Sequence, residues 1–133
     1  MLDLRDSRLM LHASLIASER RHSLLLPVHV LMAASYRGDD TGAVLMELGV
    51  DLRELRTDCR RRMEAIKTSR EMEISTATVS LLARAETELT RGLSQSLALL
   101  VALAGDDADD AGQMLASNFV TIERLREAAL RRI

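Results

Sequence analysis

Aromatic side chains are nearly missing from this sequence: Tyr36, Phe119 and no Trp in 133 residues. Any core must therefore be aliphatic, built from Leu, Ile, Val, Met and Ala. One Pro and six Gly leave long helices undisturbed and work against a strand-and-turn fold. The lone Cys59 excludes an intrachain disulfide and makes a reducing, cytoplasmic setting the expectation. No base can be assigned to activate its thiol, so Cys59 reads as buried filler. No apolar run reaches the ~18 residues of a membrane span, and the N-terminus has no signal-peptide pattern, so no membrane role is expected. An excess of one charge is missing too: 18 Lys and Arg stand against 20 Asp and Glu. Such a balance offers no basic field for nucleic acid. Arg60, Arg61 and Arg62, with Arg56 and Lys67, spread around a helix axis and read as a solvated helix end.

What is present is 47% apolar and 29% charged residues, the balance of a globular chain. It is also written twice. The segment 42–63, GAVLMELGVDLRELRTDCRRRM, returns at 112–133 as GQMLASNFVTIERLREAALRRI. Gly42 aligns with Gly112, Leu45 with Leu115, Val50 with Val120, Leu55 with Leu125 and Arg56 with Arg126, a spacing of 70. The lead-ins agree as well, Asp39 and Asp40 against Asp109 and Asp110. Gly and Asp at boundary positions are matches that composition alone does not supply, and an internal repeat of this kind governs the whole reading.

Taken in order, 3–20 predicts a helix with Leu4, Leu11 and Leu15 on one face. Pro27 suits the first turn of a second helix over 28–35 that is apolar nearly all round, His29 being its only ionisable residue. A turn at 36–40 leads to a short helix over 41–48, ended by Gly49. Asp51 with Glu54 three residues on is a capping box for a helix running to about 66, with Leu52, Leu55, Cys59, Met63 and Ile66 inward. The charged stretch 67–75 reads as a linker. The plan then repeats: a helix capped by Ser75 or Thr76 through 90, a break at Gly92, an apolar helix over 94–104, an acidic turn, a short helix over 111–117, and a last helix capped by Thr121. The expected fold is all-α, two pseudo-symmetric four-helix repeats (about 4–66 and 74–133, linker 67–73) packed as one eight-helix domain.

Chemistry is harder to find. His12, His22 and His29 lack companions at metal-ligand spacing, and neither HExxH nor C-x-x-C occurs. No Gly-rich phosphate loop is present. The Asp clusters lack the spacing of a calcium loop and read as helix-start residues. No enzyme activity, metal or cofactor is expected.

The order of these pieces resembles the N-terminal domain of Clp/Hsp100 AAA+ unfoldases, the Clp repeat domain. Leu48, Gly49, Val50 and Asp51 match the family's helix-turn-helix junction, and Asn118, Phe119, Val120 and Thr121 match it more loosely. Ala13, Ala17 and His22 fall where the first family helix and its loop carry small residues and a His. His29 and Leu31 fall on the family's Thr-Glu-His-Leu-Leu segment. The resemblance spans about 4–133. It implies a non-catalytic interaction module that receives an adaptor protein or unfoldase substrate, with Clp ATPase or protease components as possible partners. The candidate contact residues are Arg5, Arg8, His22, His29, Arg91 and Gln95, at the mouth between the halves. In some members two pockets bind phosphoarginine through the Glu of that segment. Here Pro27 and Val28 replace Thr-Glu, and a 70-residue register puts Leu97 and Ala98 there in the second half; a shifted alignment puts Gln95 and Ser96 there instead. Asp3 falls where the family pocket has Thr. Phosphoarginine binding is therefore expected to be lost or much weakened. The other reading is a structural or oligomerisation module, able to self-associate weakly.

Overall fold

Side-chain caps set where the helices start. In the computed structural model, which describes residues 3–36 and 38–133, a 3-10 turn at Leu4–Asp6 precedes α1 (Arg8–Glu19). There follow β1 (Leu24–Leu25), α2 (Pro27–Ala34), α3 (Asp40–Glu47), α4 (Leu52–Met63), β2 (Glu73–Ile74), α5 (Thr76–Leu89), α6 (Gln95–Leu103), α7 (Asp110–Ser117) and α8 (Ile122–Leu130). Ser7, Asp51, Ser75, Ser94 and Thr121 each accept a first-turn backbone N–H at the head of α1, α4, α5, α6 and α8. The eight helices expected from periodicity are there. The turn at 36–40 includes Arg37, which lies outside the described residues. Among the described residues no helix is long and apolar enough to cross a membrane.

The helices pair by a common rule in both halves. α1 packs on α2 as α5 packs on α6, and α2 on α4 as α6 on α8. The short helices cross over: α3 packs on α6, and α7 on α2. The central helices are the most buried elements, every residue of α2 and everything in α6 from Leu97 to Leu103. Burying a Leu or Val side chain contributes about 1.5–3 kcal/mol. An aliphatic core shared by both halves is thus sufficient without aromatics.

Two expectations change, and the linker gains partners. Ser7 caps α1 at Arg8, so Leu4 belongs to the preceding turn and shares no helical face with Leu11 and Leu15. The buried face of α1 is Leu9, Met10, Ala13, Ile16 and Ala17, while Leu11 and Leu15 are each 56% exposed. The segment between the halves is also tied down. Its β2 runs parallel to β1, Ser23 N–H donates to Lys67 O, Ser69 N–H to Arg21 O and Ser75 N–H to Leu25 O. Thr78 Oγ1 adds a bond to Leu25 O at 2.7 Å. Finally, the repeat spacing is not uniform. The caps Ser7 and Ser75 lie 68 residues apart, as do Leu26 and Ser94. Asp39 and Asp109 lie 70 apart, as do Asp51 and Thr121. α6 is one residue longer than α2, and the loop after it is longer by one residue too. Pro27 and Val28 therefore correspond to Gln95 and Ser96, not to Leu97 and Ala98.

Glycine matters most at two places. Gly49 ends α3 with φ +86°, the left-handed conformation that an αL cap requires. Its counterpart is Phe119, at φ +61° and 80% exposed, where a side chain costs roughly 1 kcal/mol in backbone strain. At Gly112 the demand is for space, since a Cβ would lie 1.9 Å from Asp106 O.

Candidate functional site

At the head of α6 the chain leaves a polar cleft of ≈ 500 Å³ between α1 and the start of α3. Arg8 and His12 come from α1, Asp39, Asp40 and Thr41 from the start of α3, and Ser94 and Ser96 from α6. His12 is held by a tilted contact with Tyr36, ring centroids 5.0 Å apart. Thr41 is fully buried, and its Oγ1 is the one buried side-chain polar atom among the described residues with no hydrogen-bond partner. A buried hydroxyl left unpaired costs about 1–3 kcal/mol. Asp39 makes no side-chain cap bond to α3, whereas its counterpart Asp109 accepts from Ala111 N–H at 3.0 Å. Burial pushes the Asp109 carboxyl above its ordinary range.

The cleft at the head of α2, of ≈ 320 Å³, is unlike it. Leu26, Val28 and Asp110 stand there in place of Ser94, Ser96 and Asp40, but its other wall is the end of α4 with Arg62, Ile66 and Lys67, not α5. Asp110 is neutralised by Arg62 at 2.8 Å. Neither α2 nor α6 carries an acidic residue in its first turn.

Of the residues singled out from the sequence, Arg8 lines the polar cleft, while half-buried Gln95, between Ser94 and Ser96 in sequence, is not among its lining residues. Arg5 is exposed on the turn before α1, its N–H capped by Asp3 Oδ1 at 3.0 Å. Asp3 is thus occupied as a cap, and the hydroxyl at the head of α1 is that of Ser7. Arg91 lies away from the cleft, paired with Glu88 at 3.2 Å. His29 is fully buried, and His22, bonded to it Nδ1 to Nε2 at 2.8 Å, keeps 7% exposure on a different cleft. Thr41 and His12 were not singled out, because only the crossing of α3 over α6 brings them together.

Burial is the largest cause lowering both histidines, with His22 beside His29 and Arg20 beside both adding repulsion; His29 is pushed down to about 4. Their unfolded-state value, near 6.5, lies higher, so the unfolded chain binds protons first. Stability is then complete above pH 6.5 and is lost as pH falls toward 4, by about 3 kcal/mol from His29 alone. Urea midpoints at pH 7, 5.5 and 4, with ring-proton titration by NMR, check this. A His29 ring that titrates near 6.5 would refute it.

Nucleophilic chemistry has no support here. Burial, with Asp58 adjacent, pushes the Cys59 thiol up to about 12. Among the described residues no group of three or more His, Cys, Asp or Glu is placed to hold a metal.

The comparisons with known proteins agree with this architecture. Residues 5–125 match the Clp repeat (R) N-terminal domain. The chain belongs to that family. No curated protein matches it. Among solved structures, this Clp repeat domain is similar to the Hsp104 N-terminal domain from Candida albicans, at 16% identity and TM-score 0.74, over 92% of this chain and 85% of that one. It is also similar to a chain from a study of the ATPase ClpV, the TssB–TssC sheath and the accessory HsiE protein of type VI secretion. There the identity is 17% and the TM-score 0.71, over 90% of this chain and 81% of the other. At these identities the likeness is one of fold. The Clp repeat domain here keeps the doubled scaffold while the heads of its two central helices differ in polarity, Leu26 and Val28 against Ser94 and Ser96.

Proposed function

We propose that this Clp repeat domain is a non-catalytic docking module that receives an adaptor protein or an unfoldase substrate segment in the cleft at the head of α6. The partners implied are components of a Clp-type ATPase or protease, in the cytoplasm. The observation that carries the reading is the cleft itself, which sets Arg8 and His12 of α1 against Ser94 and Ser96 of α6 and the aspartates at the start of α3. Phosphoarginine is not its ligand on this reading. Val28 is buried and apolar at the head of α2, and the head of α6 offers Gln95 and Ser96, so neither supplies a carboxylate for a guanidinium.

The test is affinity capture from the source lysate with the chain immobilised, read by mass spectrometry, against an Arg8→Glu variant of unchanged melting temperature. The expected result is recovery of a Clp ATPase, protease component or adaptor, reduced at least about fivefold, close to 1 kcal/mol, in the variant. Recovery of the bait alone sinks the reading. A second reading, self-association, has the exposed Leu11 and Leu15 on α1 in its favour. A dimer mass in sedimentation, abolished by Leu11→Ser with Leu15→Ser, would establish it instead.

A further inference from the structure

The buried histidine pair fixes a proton on a nitrogen that no group among the described residues receives. Leu26 N–H donates to His29 Nδ1 at 3.0 Å, so the proton of neutral His29 is on Nε2. That Nε2–H donates to His22 Nδ1 at 2.8 Å, which leaves the proton of neutral His22 on its own Nε2. His22 is 7% exposed and lines a second cleft, of ≈ 530 Å³, between the end of α1 and the inter-repeat segment. The remaining polar walls are Ser18, Arg21, Thr68, Ser69 and Arg70, all able to donate and none a carboxylate. Neither Arg21 nor Arg70 has a salt bridge among the described residues.

Arg21 is held there at a cost. His22 N–H bonds to Ala17 O and Arg21 N–H to Ser18 O, the paired bonds of a helix end whose next residue is left-handed. Arg21 fills that position at φ +55°, where glycine would be unstrained. A long cation in a place suited to glycine is the kind of local strain that accompanies binding.

We infer that this cleft docks an acidic peptide segment, with a side-chain carboxylate received by the Arg21 and Arg70 guanidiniums and the His22 Nε2–H. Two forked guanidiniums and a fixed ring N–H match the two oxygens of a carboxylate. The partly exposed Met72 on the same wall gives the peptide backbone an apolar neighbour. The inference rests on the docking reading only in taking a protein segment as occupant; the surface is a different one.

The experiment is an NMR titration of the ¹⁵N-labelled chain with a hexaglutamate peptide, and separately with inorganic phosphate at matched ionic strength. The peptide is expected to shift the amides of Ser18, Arg21, Thr68, Ser69 and Arg70 and the ring Nε2–H of His22. Arg21→Gly with Arg70→Gln should weaken it about tenfold or more. Arg21→Gly relieves the strained φ, so the variant should melt no lower than the parent, which separates lost binding from lost folding. Arg60→Gln with Arg61→Gln, the same loss of two charges on another face, should leave the response unchanged. Equal binding by the double variant, a response to phosphate alone, or no response at all overturns the inference. Partner capture through the Arg8 cleft is read independently, so such a failure leaves that reading standing.

Discussion

Gly112→Ala is expected to lower the unfolding free energy by about 3 kcal/mol or more, as overpacking against rigid backbone does. The substitution adds one methyl group, and in an ordinary helix interior it would stabilise by up to about 1 kcal/mol. The sign reverses because α7 starts hard against the acidic turn that precedes it. A Cβ on Gly112 would meet Asp106 O at 1.9 Å and Asp106 C at 2.8 Å. Both are backbone atoms, so no rotamer change relieves the contact. Either α7 moves off α2 or the turn rebuilds. A urea melt of the variant checks this, and a midpoint at or above the parent's would show that the helix and turn are not so closely seated.

Glu88→Ala should cost about 3 kcal/mol, the low end for breaking a buried ion pair. Glu88 is 5% exposed and receives Arg126 Nε at 3.1 Å and Nη2 at 2.7 Å. Removing the carboxylate strands a guanidinium whose side chain is only 25% exposed. The hydrogen bond to Glu88 is the largest cause raising the Arg126 pKa, which agrees with that dependence. Arg91 shares the same carboxylate from a solvated position, so Arg91→Ala should cost less than about 0.5 kcal/mol. Thermal melts of the two alanine variants separate the cases. Similar losses in both would show that Arg91, not Arg126, anchors Glu88.

Arg126 also shows what the sequence could and could not reveal. Its match with Arg56 was visible as an identity in the repeat. The shared role was not: each arginine ties the last helix of its half back to an earlier layer, Arg126 to Glu88 on α5 and Arg56 to Ser35 O after α2, over the Tyr36 ring. Caps were legible because Asp51, Ser75 and Thr121 act on backbone three residues away, whereas Ser94, read as part of α6, turned out to be its cap. The Leu4, Leu11 and Leu15 stripe misled because periodicity cannot see that Ser7 restarts the helix. The β1–β2 pair joins two-residue segments about fifty positions apart, and nothing local marks either as a strand. The repeat spacing was read from α3, α4 and their copies, where identities are densest, and the two-residue difference lies upstream of them. At the site, Arg8 was legible as a cation near a helix start. Thr41 and His12 gain meaning only when α3 crosses onto α6, and His29 required burial to be seen as half of a pair.

The difference in polarity between the two helix heads limits how a twofold scaffold can be used. Like clefts would accept two identical ligands, and a bridging segment could lie across them in either sense. With Ser94 and Ser96 at the head of α6 but Leu26 and Val28 at the head of α2, a given side chain has one preferred seat. On the docking reading proposed above, any one ligand type would have a single seat, and a segment long enough to reach both heads would run across the domain in one chain direction only.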